Sequence, residues 1–287
     1  MPELPEVETV RLQLLNKIID KPIKKIEVFH PKTVAQDKHF TKKLIGKSFS
    51  GIDRVGKLMI FNFSNENNLH LLVHLKMTGQ FFYVDKKGIL GGGHFGSDKD
   101  SLGLPNRHTR VAFHFTDNSS LFFNDMRLFG YVKITDTNET ERAKAKFGPE
   151  PISDNFNYEE FAKKLKQRNT SIKAVLLDQS FIAGLGNIYV DEALYLAKVR
   201  PTRKASQVTK KEAFAIAEAG GEIMKKSIEV GGTTFQHFVD TGGETGNYTD
   251  YLKVFGKQNT ECPVCGTIIK KTRVAGRGTH YCPKCQK

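Results

Sequence analysis

The sequence predicts an α+β protein of two domains, an antiparallel β-sandwich or barrel followed by a helical domain that ends in a small cysteine-rich module. Three observations predict it. Short β-rich runs crowd residues 23–135, helical spacing dominates beyond residue 150, and all four cysteines fall within the last 26 residues. A chain of 287 residues is long enough to bury a sizeable core, in one large domain or two modest ones.

The first element follows the opening PELPE. Val7, Val10, Leu14 and Ile18 recur at helical spacing, so an amphipathic helix packs on what comes next. From about residue 23 the pattern changes to IKKIEVF, KLMIFNF, LHLLVHLKM, QFFYV, TRVAFHF, SLFFN and YVKIT, each bounded by turn residues. Strands at such short intervals close an antiparallel sandwich or barrel. Residues 85–106, rich in Gly, Ser, Asp and Lys, are expected to form a mobile loop. Around GPEP at 148–151 the character changes again, and 158–168, 171–177, 187–197 and 209–230 read as helices, the second and third joined by FIAGLG. The expected division is a β domain at 1–136, a hinge at 137–150, a helical domain at 151–240 and a C-terminal segment at 241–287.

The charge balance narrows the partner. Forty-four Lys plus Arg against 31 Asp plus Glu leave a formal charge of +13 and a pI near 9.5. Such a surface attracts phosphates and releases their counterions, although charge that serves only solubility gives the same count. No apolar run approaches membrane-spanning length, and the N-terminus lacks a basic-then-apolar secretory pattern. The expectation is a cytoplasmic, nucleoid-associated bacterial protein with no membrane partner.

Cys262, Cys265, Cys282 and Cys285 form C-x2-C-x16-C-x2-C. Two chelating knuckles joined by a hairpin-length spacer place four thiolates around one structural Zn2+, a closed set with no open catalytic position. The spacer carries Lys270, Lys271, Arg273 and Arg277, cations suited to phosphate contact. Zinc ribbons also occur in proteins without enzymatic activity, so the motif alone names no reaction. At the other end Met1 precedes Pro2, a small residue that permits methionine removal. A freed proline is a secondary amine whose class titrates near pH ~8, leaving a neutral nucleophilic fraction at physiological pH. Attack on a sugar C1′ gives an iminium ion that acidifies the C2′ proton and permits loss of the 3′ phosphate. Glu3 and Glu6 lie beside the amine. An M-P-E start also serves simply to open a helix, and residue type alone favours that plainer reading.

MPELPEVETV at the start and the four-cysteine ribbon at the end together resemble the formamidopyrimidine-DNA glycosylase family. HLKMTG, DMRLFG, GPEP, GLGNIYVDEAL, GGTT and AGRGTHYCPKCQK match family signatures in the expected order. The resemblance implies a β-sandwich headed by a catalytic N-terminal helix, then a helix–two-turn–helix DNA-binding domain and a zinc ribbon. It also implies a bifunctional glycosylase and abasic-site lyase of base excision repair, acting on double-stranded damaged DNA. PELPE looks like the branch specific for oxidised purines, 8-oxoguanine and formamidopyrimidines, whereas the oxidised-pyrimidine branch usually begins PEGPE.

Roles implied by the resemblance fall on individual residues. Pro2 matches the nucleophile and Glu3 the general acid/base. Lys57 matches a lysine of β-elimination and phosphate contact, and Arg277 the hairpin arginine of δ-elimination. Asn187, His74 and His108 match phosphate-contacting positions, with Arg168 and Lys271 as weaker phosphate candidates. Met77, Arg127 and Phe129 match the triad that fills the space left by an everted nucleotide, where apolar wedges replace lost stacking. Core packing is the plainer role for Met77 and Phe129, and a strand histidine is commonly structural. The segment 240–251 corresponds to a flexible lesion-sensing loop.

The chain departs from the family pattern at Leu128, where a second basic residue is common, at Arg110, where a second histidine is frequent, and at Phe255, where tyrosine is usual. None removes a catalytic group. The rival readings are an oxidised-pyrimidine glycosylase and a noncatalytic zinc-ribbon DNA-binding protein. A chain with one active site is expected to act as a monomer.

Overall fold

The computed structural model describes residues 2–92, 103–233 and 248–287. Met1, residues 93–102 of the Gly-rich stretch at 85–106 and residues 240–247 of the 240–251 loop lie outside the described residues. The chain divides into two compact units, one of residues 1–145 with 230–249 and one of residues 146–229 with 250–287.

The first unit opens with α1 (Leu4–Ile18). Glu3 and Glu6 form a capping box at its start, Pro5 suits the first turn, and Lys17 lies in the last turn. Val7, Val10, Leu14 and Ile18 are buried on one face, as their spacing predicted. The nine strands described after it form two antiparallel sheets. One sheet runs β1 (Ile23–Val28), β7 (Thr109–Phe115), β8 (Ser120–Asp125), β5 (Gly79–Asp85) and β6 (Gly88–Gly92). The other runs β2 (Phe49–Val55), β3 (Leu58–Phe63), β4 (Glu66–His74) and β9 (Tyr131–Thr135).

Inward side chains of both sheets and of α1 share one core. Phe49 sits at its centre, with ring centroids 5.3 Å from Phe61, 4.9 Å from Phe63 and 6.2 Å from Phe113. Burying each such side chain contributes about 2 kcal/mol, and the two separate sheets make this a sandwich rather than a closed barrel. Residues 88–92, expected inside a loop, instead pair with β5 as β6. A two-residue turn at Lys86 and Lys87 makes this possible, with Gly88 at φ 131. β2 also went unread, because Gly51, Asp53 and Arg54 interrupt its apolar alternation. Short α2 (Phe40–Leu44) adds two buried side chains to the core. The segment expected as a hinge at 137–150 begins with α3 (Thr137–Lys144), whose N-cap Asp136 accepts the Glu139 N–H.

In the second unit, α4 (Tyr158–Lys166), α5 (Ile172–Leu177), α6 (Asn187–Leu196) and α7 (Lys210–Glu229) occupy the four expected helical stretches. Asn157 and Ser171 cap α4 and α5, and Thr209 exchanges hydrogen bonds with Glu212 at the start of α7. α7 packs against α4 and α6, and α6 packs against β11 (Arg277–Tyr281), the partner of β10 (Lys270–Val274). No helix among the described residues is long and apolar enough to cross a membrane.

Candidate active site and nucleic-acid interface

Pro2 is buried beside the first turn of α1, and Glu3 is only 2% exposed. Glu6 holds this terminus: its Oε2 accepts the Glu3 N–H at 2.8 Å and its Oε1 accepts the Thr233 N–H at 2.9 Å. Gly232, at φ 92, lies so close that a Cβ there would approach Glu6 Cγ to 3.3 Å. One buried carboxylate therefore fixes both the N-terminal turn and the start of the segment after α7.

Lys57 lies in the two-residue turn between β2 and β3, where it is buried. Arg54 fastens that turn to α1, donating from Nε to Glu8 Oε2 at 2.8 Å and from Nη1 to the Gly56 carbonyl at 2.9 Å. Burial pushes the Glu8 carboxyl up, but hydrogen bonds and charge from Arg11 and Arg54 outweigh it and hold Glu8 below its ordinary value. Sequence reasoning missed Arg54; its only signal was a charged residue interrupting an apolar run.

His74 ends β4 directly opposite Leu58, so Lys57 and His74 are neighbours across the sheet. The Lys76 N–H donates to His74 Nδ1 at 3.0 Å, which places the proton of a neutral ring on Nε2. Burial, reinforced by the Lys76 and Lys57 charges, lowers its pKa to about 3. The ring is thus a neutral Nε2–H donor, a state suited to a phosphate oxygen at any physiological pH.

Met77 is half-buried on the tight turn from Leu75 to Gly79, where any Cβ at 79 would collide with the Leu75 backbone. Arg127 and Phe129 are exposed on the turn after β8, the guanidinium centred 5.0 Å from the Phe129 ring. Phe129 is 53% exposed, so core packing does not explain it. His108 precedes β7 and accepts the Asp125 N–H on its carbonyl at 2.9 Å. The Arg127 N–H donates to Thr78 Oγ1 at 3.0 Å, so the first unit brings the Met77 turn against the turn of Arg127 and Phe129, and sets Lys57 beside His74.

In the second unit, Gln179 organises the turn between α5 and α6. Its Nε2 donates to the Leu177 and Leu185 carbonyls and its Oε1 accepts the Gly184 N–H, at 3.2, 2.8 and 3.0 Å. This places Asn187 at the head of α6. Its Nδ2 donates to the Gly278 carbonyl at 3.0 Å, tying helix to hairpin. The same carbonyl accepts from Lys173 Nζ, and Asp191 Oδ2 accepts the His280 N–H at 2.8 Å. Val274 pairs with Arg277 across a turn whose Ala275 and Gly276 have φ 50 and 70, leaving Arg277 exposed at the tip. Lys271 is exposed on β10. Arg168 stands apart from them after α4, stacked 5.4 Å from the Phe181 ring centroid.

The four cysteine sulfurs lie within 4.8 Å of one another, Cys262 to Cys285 at 3.9 Å and Cys265 to Cys282 at 3.5 Å. Four Zn–S bonds of about 2.3 Å in a tetrahedron require S···S separations near 3.8 Å, so the set fits one zinc ion with no open position. The Tyr195 hydroxyl, 3.2 Å from Cys262 Sγ, is placed to hydrogen-bond a ligand sulfur. Glu192 supports the adjoining backbone by accepting the N–H groups of Lys253, Val254 and Phe255 at 2.8 to 2.9 Å.

A β-sandwich headed by a capped N-terminal helix, a helix–two-turn–helix unit and a four-cysteine finger define a zinc-finger DNA-repair glycosylase. Residues 1–132 match the formamidopyrimidine-DNA glycosylase N-terminal domain, 147–239 its H2TH domain, and 261–287 the zinc finger found in FPG and IleRS. The chain belongs to the formamidopyrimidine-DNA glycosylase family. It is 39% identical to the formamidopyrimidine-DNA glycosylase of Listeria monocytogenes serotype 4b (strain F2365), over 100% of both chains. A Lactococcus lactis Fpg complexed with abasic-site DNA is similar at a TM-score of 0.88 and 35% identity, covering 100% of each chain. MutM complexed with DNA containing carbocyclic 8-oxo-G is similar at a TM-score of 0.87, also with 35% identity and 100% of each chain covered.

Proposed function

We propose that this glycosylase is bifunctional, excising 8-oxoguanine and formamidopyrimidines from duplex DNA and then cutting the strand at the abasic site. The observation that carries the reading is the terminus itself, where Pro2 is buried beside a capping box that fixes Glu3. The relatives complexed with abasic-site and 8-oxo-G DNA support the same substrate class.

With Met1 removed, the Pro2 nitrogen attacks C1′ of the everted nucleotide. The base leaves with the C1′–N bond electrons, and Glu3 supplies a proton to the opening sugar. The iminium then withdraws electrons from C1′, a base removes the C2′ proton, and the 3′ phosphate departs. Lys57 assists this β-elimination, and Arg277 the δ-elimination that expels the 5′ phosphate. His74, His108, Asn187, Arg168 and Lys271 contact phosphates, while Met77, Arg127 and Phe129 fill the vacated stack. Zinc braces the hairpin and takes no part in bond making. The first unit supplies the nucleophile, the wedge and the phosphate contacts of His74 and His108, the second those of Asn187, Arg168 and Lys271. The enzyme acts as a cytoplasmic, nucleoid-associated monomer.

Borohydride added during incubation with abasic-site duplex tests the reaction class. A covalent adduct lost in Pro2→Gly is expected, and trapping of Pro2→Gly at wild-type efficiency would count against this nucleophile. Comparison of 8-oxoguanine opposite cytosine with thymine glycol opposite adenine tests the substrate, clear preference for thymine glycol rejecting the purine assignment.

A further inference from the structure

Asp125, the last residue of β8, is 1% exposed yet carries a carboxylate that meets two separate turns. Its Oδ1 accepts the Thr78 hydroxyl and, at 3.2 Å, the Arg127 N–H, while its Oδ2 accepts the Gly130 N–H at 2.7 Å. Thr78 Oγ1 shares the Arg127 N–H at 3.0 Å. From the other side Arg110 donates from Nε to the Asp125 carbonyl at 2.7 Å and from Nη1 to the Arg107 carbonyl at 3.1 Å. Space is closed as well, because a Cβ on Gly130 would lie 2.8 Å from Phe123 Cζ and 3.1 Å from Asp125 Oδ2.

We propose that Thr78, Asp125 and Arg110 are positioning residues that lock the Met77 turn and the Arg127–Phe129 turn into one preformed wedge; this rests on the base-everting function proposed above. Lys76 and Leu128, one in each turn, hold left-handed backbone at φ 52 and 59. Non-glycine residues keep that conformation only when their surroundings over-determine it; the buried carboxylate does so around Leu128 by taking the Arg127 and Gly130 N–H groups, and His74 Nδ1 takes the Lys76 N–H. Of the wedge side chains carried on this base, Arg127 and Phe129 are exposed and Met77 is half-buried. A side chain that replaces lost stacking is effective only if its backbone is already ordered before the base leaves the helix. Arg110 thus has a definite task at a position where a second histidine is frequent in the family: its guanidinium clamps the base of the wedge.

The brace acts on eversion of an intact damaged base, whereas a preformed abasic site has no base to evert. Thr78→Val keeps the shape and removes the hydroxyl; Arg110→Met keeps the length and removes the donors. Single-turnover release of 8-oxoguanine is expected to fall about 10- to 100-fold in either variant. Borohydride trapping on preformed abasic-site DNA stays within about twofold, and Thr78→Ser restores base release. Hydrogen exchange at the Arg127 and Gly130 amides, measured without DNA, speeds in both variants and is slow in the wild type. Wild-type base release by both variants, parallel loss of release and trapping, or unchanged amide exchange overturns the brace. If the wild-type protein neither releases 8-oxoguanine nor traps on abasic DNA, the functional reading fails instead, and the exchange measurement still decides whether the two turns are locked.

Discussion

The Lys173 ammonium and the Asp191 carboxylate meet at 2.6 Å with neither side chain exposed at all. Lys173 also donates to the Gly278 carbonyl, and the second Asp191 oxygen takes the His280 N–H, so the pair joins α5, α6 and β11. Charges removed from water are tolerated only when paired and fully hydrogen-bonded. Lys173→Met strands the carboxylate and is expected to destabilise the second unit by about 3–5 kcal/mol in urea unfolding. Lys173→Met combined with Asp191→Leu removes both charges and recovers most of that loss. A single substitution that lowers stability by less than the double one would show that the pair is not the joint.

His74 makes acid sensitivity predictable. Its folded pKa is lowered to about 3 from an ordinary 6.5, so below pH 6.5 the unfolded chain binds a proton that the folded chain refuses. Stability from this ring is complete above about pH 6.5 and falls by about 1.4 kcal/mol per pH unit until roughly pH 3. Between pH 7.5 and 4.5 the wild type should therefore lose about 2.5 kcal/mol more than His74→Gln, read from denaturant midpoints. Equal pH dependence in the two proteins would mean that the ring protonates freely in the folded state.

These two sites mark the limit of what was legible in the sequence. Helices α4 to α7 and most strands follow from apolar period and punctuation, and the cysteine spacing alone disclosed the zinc set. Asp191 and Lys173 carry no such signal, since a charged residue inside GLGNIYVDEAL or SIKAVLL is conventionally assigned to solvent. Thr78 and Asp125 lay inside the quoted HLKMTG and DMRLFG, yet their hydrogen bonds join turns 47 residues apart, which no local pattern encodes. Phe129 was ambiguous between core and surface until its 53% exposure decided it, whereas Met77 is half-buried. Arg110 read as a departure from the family, and its task emerged only once β7 and β8 were paired.

The cysteine set should hold one zinc per chain, measurable by elemental analysis after gel filtration. Cys282→Ser leaves three thiolates around the site and should lose most of the metal. Because α6 and the hairpin are joined through Gly278 and His280, metal loss is expected to loosen a surface that carries Lys271 and Arg277. Affinity for duplex DNA should then fall together with the slope of log affinity against log salt, since fewer phosphates are neutralised. A metal-free protein that binds duplex with an unchanged salt slope would separate the hairpin from DNA contact.

Arg54 gives the most direct test of how the Lys57 turn is held. Its side chain is 9% exposed, and its planar fork spans Glu8 on α1 and the Gly56 carbonyl beside Lys57. Arg54→Met leaves both acceptors short of a donor in a buried setting, at about 1–3 kcal/mol of stability. Arg54→Lys keeps the charge but replaces the planar fork with a single nitrogen, so it should recover only part of the loss. If Lys57 assists elimination as proposed, a displaced turn slows strand cutting at an abasic site by about tenfold or more. Binding of undamaged duplex, which depends on phosphate contacts across a wide surface, should change little. Stopped-time assays of strand cutting beside filter binding separate these effects. Wild-type cutting by Arg54→Met would show that the Lys57 turn holds its shape without this tether.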